Sequence, residues 1–255
     1  MTIHQQVVRE LAVRILSGEV NPGDVLSTED IASAELDVSR TAYREAIKVL
    51  TAKGLLESRP KVGTRVLQKT FWNMLDPDII GWKSEIGDRA GFIDDLFEFR
   101  QIIEPAAARL AARKATPQDI EQIQAAFTRM SETDAESPEN FEADFEFHNA
   151  ILQASNNELL CSLGHVVEAL LLTSFELSAL RPGAREDSLP LHETVLTHIR
   201  LGAENAARDA MATLLTSARD DLDEVFKPDA EATTEIRHAV PEARSTRNGK
   251  YHSRN

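Results

Sequence analysis

At 255 residues the chain exceeds one average domain, so two compact units are expected, and its 42% apolar content can supply a sizeable core. Aromatic residues make up only 5%, against abundant Ala and Leu, which favours helix over sheet. The net charge of −14 opposes a chain coated all over by nucleic acid, and the single cysteine, Cys161, excludes an intrachain disulfide and points to a reducing cytoplasm. The opening MTIHQQVVRE lacks the basic and apolar regions of a secretory signal, and no apolar run approaches the about 18 residues of a spanning helix. A cytoplasmic protein is expected. The charge is unevenly spread: residues 39–69 hold eight Lys/Arg against Glu45 and Glu57, a net +6, while residues 1–38 carry −5 and the remainder −15. One basic island on an acidic chain suits a single face that meets a polyanion.

Val7, Leu11 and Ile15, with Val8 and Leu16, recur at helical spacing and predict an amphipathic helix over 3–17. Gly18 stops it, and Asn21-Pro22-Gly23 turns the chain. Ser27 is expected to cap a short helix through Ile31 and Ala32. Leu36-Asp37 makes the next turn, and Ser39 is expected to cap a third helix over 39–53, ended by Gly54. Arg40 and Arg44 lie four apart on one face of that helix, while Ala46, Ile47, Leu50 and Leu55 supply its apolar side. Arginines near the start of such a helix suit insertion into a major groove, where a guanidinium reads guanine O6 and N7 together. A solvated basic face is the alternative, and the flanking segments weigh against it. Leu55–Arg59 and Thr64–Lys69 read as two short strands around Pro60-Lys61-Val62-Gly63. That hairpin is a wing on which Lys61, Arg65 and the bare backbone at Gly63 can approach phosphates or the minor groove. Three helices and a wing make a winged helix-turn-helix over residues 1–70.

The ordered set Ser17-Gly18, Pro22-Gly23, Leu26, Glu29, Val38-Ser39-Arg40-Thr41, Arg44-Glu45-Ala46, Leu50, Gly54-Leu55 and Gly63-Thr64 with Val66 resembles the DNA-binding domain of the GntR family. The resemblance implies that Arg40, Thr41 and Arg44 contact bases or phosphates, with Gly63 at the wing tip. Many relatives carry Arg after the Glu of the second helix, where this chain has Asp30. A carboxylate there repels phosphate, so a shifted operator preference is expected.

Residues 71–89 are expected to form a linker and connecting helix to the second unit, with Trp72, Leu75 and Trp82 available to pack against it. From about residue 90 every pattern is helical. Phe92, Ile93, Leu96, Phe97, Ile103, Ala107 and Leu110 mark one long helix, and Ile120, Ile123 and Phe127 the next. Phe141–Leu152, Leu159–Leu180, Leu191–Leu201 and Ala206–Phe226 follow, giving an all-helical antiparallel bundle over 90–227. Residues 228–255 are polar and expected to be disordered. Arg100, Glu104-Pro105, Ala111-Ala112, Asp144, Phe147-His148, Ile151, Asn156, His192-Glu193, Ala206-Ala207 and Met211 resemble the FCD effector domain of the family's FadR subgroup. Trp72-Asn73, Leu75-Asp76, Asp78 and Trp82 look most like regulators of galactonate and related sugar-acid catabolism. The fold class is thus mainly α, a winged helix-turn-helix followed by an FCD-like bundle.

Asp144 and His148, four apart, put a carboxylate and an imidazole on one helical face, half of a divalent-metal site such as zinc's. The resemblance adds His192 as a third ligand and implies a fourth His where Leu214 stands. Thr213, Thr216 and Ser217 nearby are poor substitutes. A plain Asp144–His148 hydrogen bond without metal is the alternative. Arg100 points along the apolar stripe of its helix between Leu96, Phe97 and Ile103, where a guanidinium needs an anion. That anion is Glu104 or an effector carboxylate held by Arg100 beside Asp144, His148 and His192. His165 and His198 read as structural or surface residues, Leu170-Leu171-Leu172 as core or dimer face, and Arg181 and Arg185 as solvated. A homodimeric repressor is expected, bound to a palindromic operator in double-stranded DNA and released by a small organic acid such as an aldonate. The rival is a metal-dependent hydrolase or lyase built on Asp144, His148 and His192, which lacks an evident base or nucleophile and has no use for a basic winged head.

Overall fold

The computed structural model describes residues 2–59, 62–86, 89–134, 137–178 and 183–226. Lys61, Arg181, the side chain of Arg185 and the tail over 228–255 lie outside the described residues.

The head begins with α1 (Ile3–Leu16), where Thr2 and Gln5 cap each other reciprocally, and Val7, Leu11 and Ile15 face inward. The second helix, α2 (Glu29–Glu35), starts later than the Ser27 cap would place it. Thr28 is its N-cap, and it makes no side-chain cap bond, so Ser27 is not the capping residue. Asp37 takes a positive φ of 51° in the turn, which a short polar side chain tolerates. Ser39 then caps α3 (Arg40–Ala52) through its hydroxyl, which accepts the Ala42 N–H at 3.1 Å. Strands β1 (Leu56–Arg59) and β2 (Gly63–Val66) pair antiparallel with Leu56 opposite Val66 and Arg59 opposite Gly63. The second strand is shorter than the apolar pattern suggested, because Lys69–Phe71 curls into a 3-10 turn. Gly54 allows this return: its φ is +77°, and a Cβ there would stand 2.2 Å from the Phe71 carbonyl oxygen.

The connection contains a helix of its own, α4 (Pro77–Ser84), opened by Asp76 as N-cap and Pro77 in the first turn. Trp72 is buried and donates its indole N–H to the Leu67 carbonyl at 2.9 Å. Leu75 stays 45% exposed and does not pack. Lys53, at the end of α3, reaches both Asp76 and Asp78 at 2.7 Å. Neighbouring residues of α4 serve different cores. Ile79 joins the head core of Val7, Leu11, Ile15, Leu50 and Leu55, whereas Ile80 packs with Phe92, Ile93, Leu96, Val166 and Leu222.

The bundle follows as α5 (Arg89–Lys114), α6 (Pro117–Glu132) and α7 (Pro138–Ala154). The expected single helix over 159–180 is two pieces, α8 (Glu158–Cys161) and α9 (Gly164–Ser178), broken at Ser162 and Leu163. Last come α10 (Ala184–Arg200) and α11 (Glu204–Phe226). Phe147, Ile123, Ile151, Leu152, Leu196 and Met211 lie at the centre of their core. Leu170 and Leu171 are buried, while Leu172 is exposed. No helix among the described residues is long and apolar enough to cross a membrane.

Candidate DNA interface and buried metal-ligand cluster

The amphipathic pattern of α3 decides which side chains reach solvent. Tyr43, Ala46, Ile47 and Leu50 turn into the head core, leaving Ser39, Arg40, Thr41 and Arg44 exposed on the other side. Both guanidiniums are more than 60% exposed, and acids of α2 hold them. Asp30 Oδ1 lies 2.8 Å from Arg40 Nη1. Glu29 grips Arg44 through both carboxylate oxygens, at 2.7 and 3.0 Å from Nη2, with Nε at 3.2 Å. Gly63 is exposed at the start of β2, on the far side of a cleft of about 380 Å3 lined by Thr28, Glu29, Arg44, Ile47 and Thr64. Arg65 is half-buried opposite Glu57, and its Nε is buried without a hydrogen-bond partner among the described residues.

Inside the bundle a chain of polar side chains crosses the apolar core. Arg100 and Glu104, one turn apart on α5, are both 2% exposed, and Arg100 donates from Nε to Glu104 Oε1 at 2.5 Å. The second Glu104 oxygen lies 2.5 Å from His148 Nδ1 on α7. Burial opposes the Glu104 charge, but the Arg100 guanidinium and then the His148 ring outweigh it and hold the carboxyl at about 2. An ionised Glu104 has no proton to give, so His148 donates from Nδ1 and its Nε2 lone pair turns away from Glu104. On α10, His192 Nδ1 sits 2.9 Å from the Ser188 carbonyl oxygen, which can only accept. The His192 Nε2 lies 3.1 Å from Asp144 Oδ1, and His148 Nε2 lies 3.8 Å from the same oxygen. Burial opposes the Asp144 charge too, yet the hydrogen bond to His192 and the charges of His148, His192 and Arg100 hold it at about 2.

Two consequences follow. Asp144 and His148 are beyond hydrogen-bond distance, so the expected alternative of a simple pair between them is not formed. Asp144 bonds His192 instead. Moreover, His192 Nε2 stands 3.1 Å from the Asp144 oxygen, a distance that suits either that hydrogen bond or a cation shared by the two atoms. Donor atoms of Asp144, His148 and His192 all lie within 4.8 Å of one another. Phe147 stacks edge-on against both imidazoles, at 5.7 and 5.1 Å between centroids, and fixes their planes. Leu214 is buried in the bundle core and offers no ligand. Thr213 is bonded to the Asp209 carbonyl, and Thr216 to Gln101 and the Ala212 carbonyl, so both hydroxyls are engaged elsewhere. His165 is fully on the surface, with 86% of its side chain exposed.

Sequence reasoning treated Glu104 only as the ordinary partner of Arg100. Its bridge to His148 spans 44 residues and is invisible to any local pattern. The Glu29 and Asp30 pairs were likewise missed, since they join two helices.

A winged head showing arginines, joined to a helical unit with a buried polar cluster, defines a DNA-binding transcription regulator with a ligand-responsive domain. The model of bacterial regulatory proteins of the gntR family matches residues 3–66, and that of the FCD domain matches residues 95–217. The galactonate operon transcriptional repressor of Escherichia coli strain K12 is 31% identical over 228 residues, covering 88% of this chain and all of that protein. The HTH-type transcriptional regulator LutR of Bacillus subtilis strain 168 is 33% identical, over 84% of this chain and 98% of its own. The solved structure of Lar, which controls expression of the Listeria monocytogenes agr system, covers 88% of this chain and 98% of its own. It has a TM-score of 0.60 at 20% identity, a likeness of fold. The chain belongs to the gntR family and carries an FCD domain. It is a regulator and not an enzyme, which sets aside the hydrolase or lyase alternative.

Proposed function

We propose that the protein is a cytoplasmic homodimeric repressor whose operator grip is released by a small hydroxy acid of the aldonate type. Residues 1–70 would read DNA, 71–89 would connect, and 90–227 would bind the acid. Ser39, Arg40, Thr41 and Arg44 on the α3 side and Gly63 on the wing would form the DNA face, with Lys61 and Arg65 of the wing segment adding positive charge to it. A two-fold dimer demands a palindromic operator. The similarity to a galactonate operon repressor supports the choice of acid.

One observation carries the ligand side: two imidazole lone pairs and an ionised carboxylate oxygen converge beside a buried guanidinium. This donor set fits a divalent cation. Ligands about 2.1 Å from zinc stand roughly 3–3.5 Å apart; the 3.1 Å spacing here falls in that range and the 3.8 Å spacing just beyond it. Glu104 and the Ser188 carbonyl hold both rings in the tautomer a metal needs. Asp144, His148 and His192 would hold the ion, which when bound supplies a positive charge for the effector's carboxylate and hydroxyl. With Leu214 in the fourth place, one position stays open to the acid. Arg100 would add its guanidinium charge to the carboxylate's binding.

A thermal-shift titration with galactonate tests this, on chelator-stripped protein with and without added zinc. The expected result is one bound zinc per chain and a galactonate-dependent rise in melting temperature that needs the metal. Equal zinc content in wild type and His148→Ala would remove the metal assignment, and a galactonate shift indifferent to Arg100→Met would remove the effector assignment.

A further inference from the structure

We infer that Asp30 is a specificity-determining residue of the DNA face, one that withholds Arg40 from phosphates and releases it to a base edge. The inference rests on the reading of Arg40 as a base-contacting residue. Asp30 and Arg40 are about equally exposed, at 65% and 66% of their side chains, and meet at 2.8 Å through Nη1. A solvated pair of this kind is weak, so a well-placed base can displace it.

Arg44 is held differently. Glu29 is only 31% exposed and engages both Nε and Nη2, the edge that a guanine would otherwise meet. Asp30 engages Arg40 by Nη1, and no partner occupies Nε and Nη2 among the described residues. Arg40 is therefore the arginine presented with an intact fork for guanine O6 and N7. Phosphate offers the same guanidinium a competing partner on any sequence. A carboxylate beside Arg40 taxes that competitor, because it sets a negative charge against every phosphate near enough to reach the guanidinium. A guanine edge carries no formal charge and escapes the tax. The pair thus lowers binding to random DNA more than binding to the right site, which is how specificity is raised by an unfavourable element.

The test compares full-length wild type, Asp30→Asn, Arg40→Ala and the double variant. Each is used to select duplexes from a random library, and each is titrated on random duplex across a salt series. The asparagine change is near-isosteric at an exposed position, and a melting temperature within a few degrees of wild type verifies the fold. In the wild-type background, Asp30→Asn should strengthen random-duplex binding about three- to tenfold at fixed salt and steepen the log–log salt slope by about 0.9. Its selected sequences should lose information at the positions that Arg40→Ala also erases. In the Arg40→Ala background the steepening should vanish. Equal steepening in both backgrounds would show simple repulsion independent of Arg40 and overturn the inference. So would an Asp30→Asn protein with wild-type consensus and random-duplex affinity within twofold. If Arg40→Ala selects the wild-type consensus, the base-reading role of Arg40 falls first and takes the inference with it.

Discussion

At the scale of single residues, Glu104 carries the heaviest electrostatic load among the buried groups described, accepting from Arg100 on one oxygen and His148 on the other. Changing it to Gln keeps the shape but leaves Arg100 buried beside a neutral amide. Breaking one side of a buried pair costs about 3–5 kcal/mol, so Glu104→Gln should lower the urea-unfolding free energy by about that much; an unchanged urea midpoint would contradict the network. Lys53 supplies a pH prediction. Burial pulls its pKa down, but the hydrogen bonds it donates to Asp76 and Asp78 prevail and raise it above the ordinary 10.5. Burial, then Glu29 and Glu35, raises Tyr43 above its ordinary 10.0. A raised folded pKa means stability that is complete below the unfolded value and lost as pH climbs through the folded one. These groups should therefore leave stability level between pH 7 and 9 and erode it above about pH 10, and Lys53→Met should flatten the alkaline fall in a pH series of urea melts. Such pairings explain the limits of the sequence. Arg100 was readable as a buried cation because its apolar neighbours sit at helical spacing. Its link to His148, and that of Arg40 to Asp30, depend on how helices dock, which no local spacing contains.

At the scale of elements, the caps and breaks show what sequence carries and what it hides. Ser39 and Gly54 bracket α3 as their residue types require, so that helix was legible to within a residue at each end. Gly54→Ala should cost at least about 1–3 kcal/mol, from the left-handed backbone and the approach to the Phe71 carbonyl; a urea melt of the full chain measures it, and a neutral effect would argue against the tight return. The break between α8 and α9 was hidden because Leu159, Leu160, Leu163, Val166 and Val167 keep an unbroken apolar rhythm across Ser162. By contrast α4 lies where a connecting helix was expected within 71–89, opened by Asp76 as its cap and Pro77 in its first turn. Its consequence is mechanical. Ile79 is wedged in the head core and Ile80 in the adjoining one, so α4 cannot shift against the bundle without pulling on the head. Lys53 fastens the end of α3 to the cap of α4 and gives that pull a route to the DNA face.

At the scale of the whole molecule, charge is unevenly partitioned: residues 39–69 carry +6 on a chain of net −14, which suits the proposed DNA face while the acidic remainder repels a polyanion. Arg40→Ala should therefore weaken operator binding about 10- to 100-fold, the worth of one bidentate base contact, while galactonate affinity stays at the wild-type value. Loss of both would mean that the head and bundle are not separable in function. An acid can alter operator grip only by preferring one arrangement of the two units over the other, and reciprocity requires that operator weaken the acid in the same ratio. The most direct measurement is operator affinity of the full-length protein at fixed salt, titrated with galactonate in the presence of zinc, for wild type and Arg100→Met. The account expects wild-type affinity to fall about 5- to 150-fold at saturating acid, and the variant to hold its operator regardless. An operator affinity that galactonate and chemically similar hydroxy acids leave unchanged in wild type, or change equally in Arg100→Met, would contradict it.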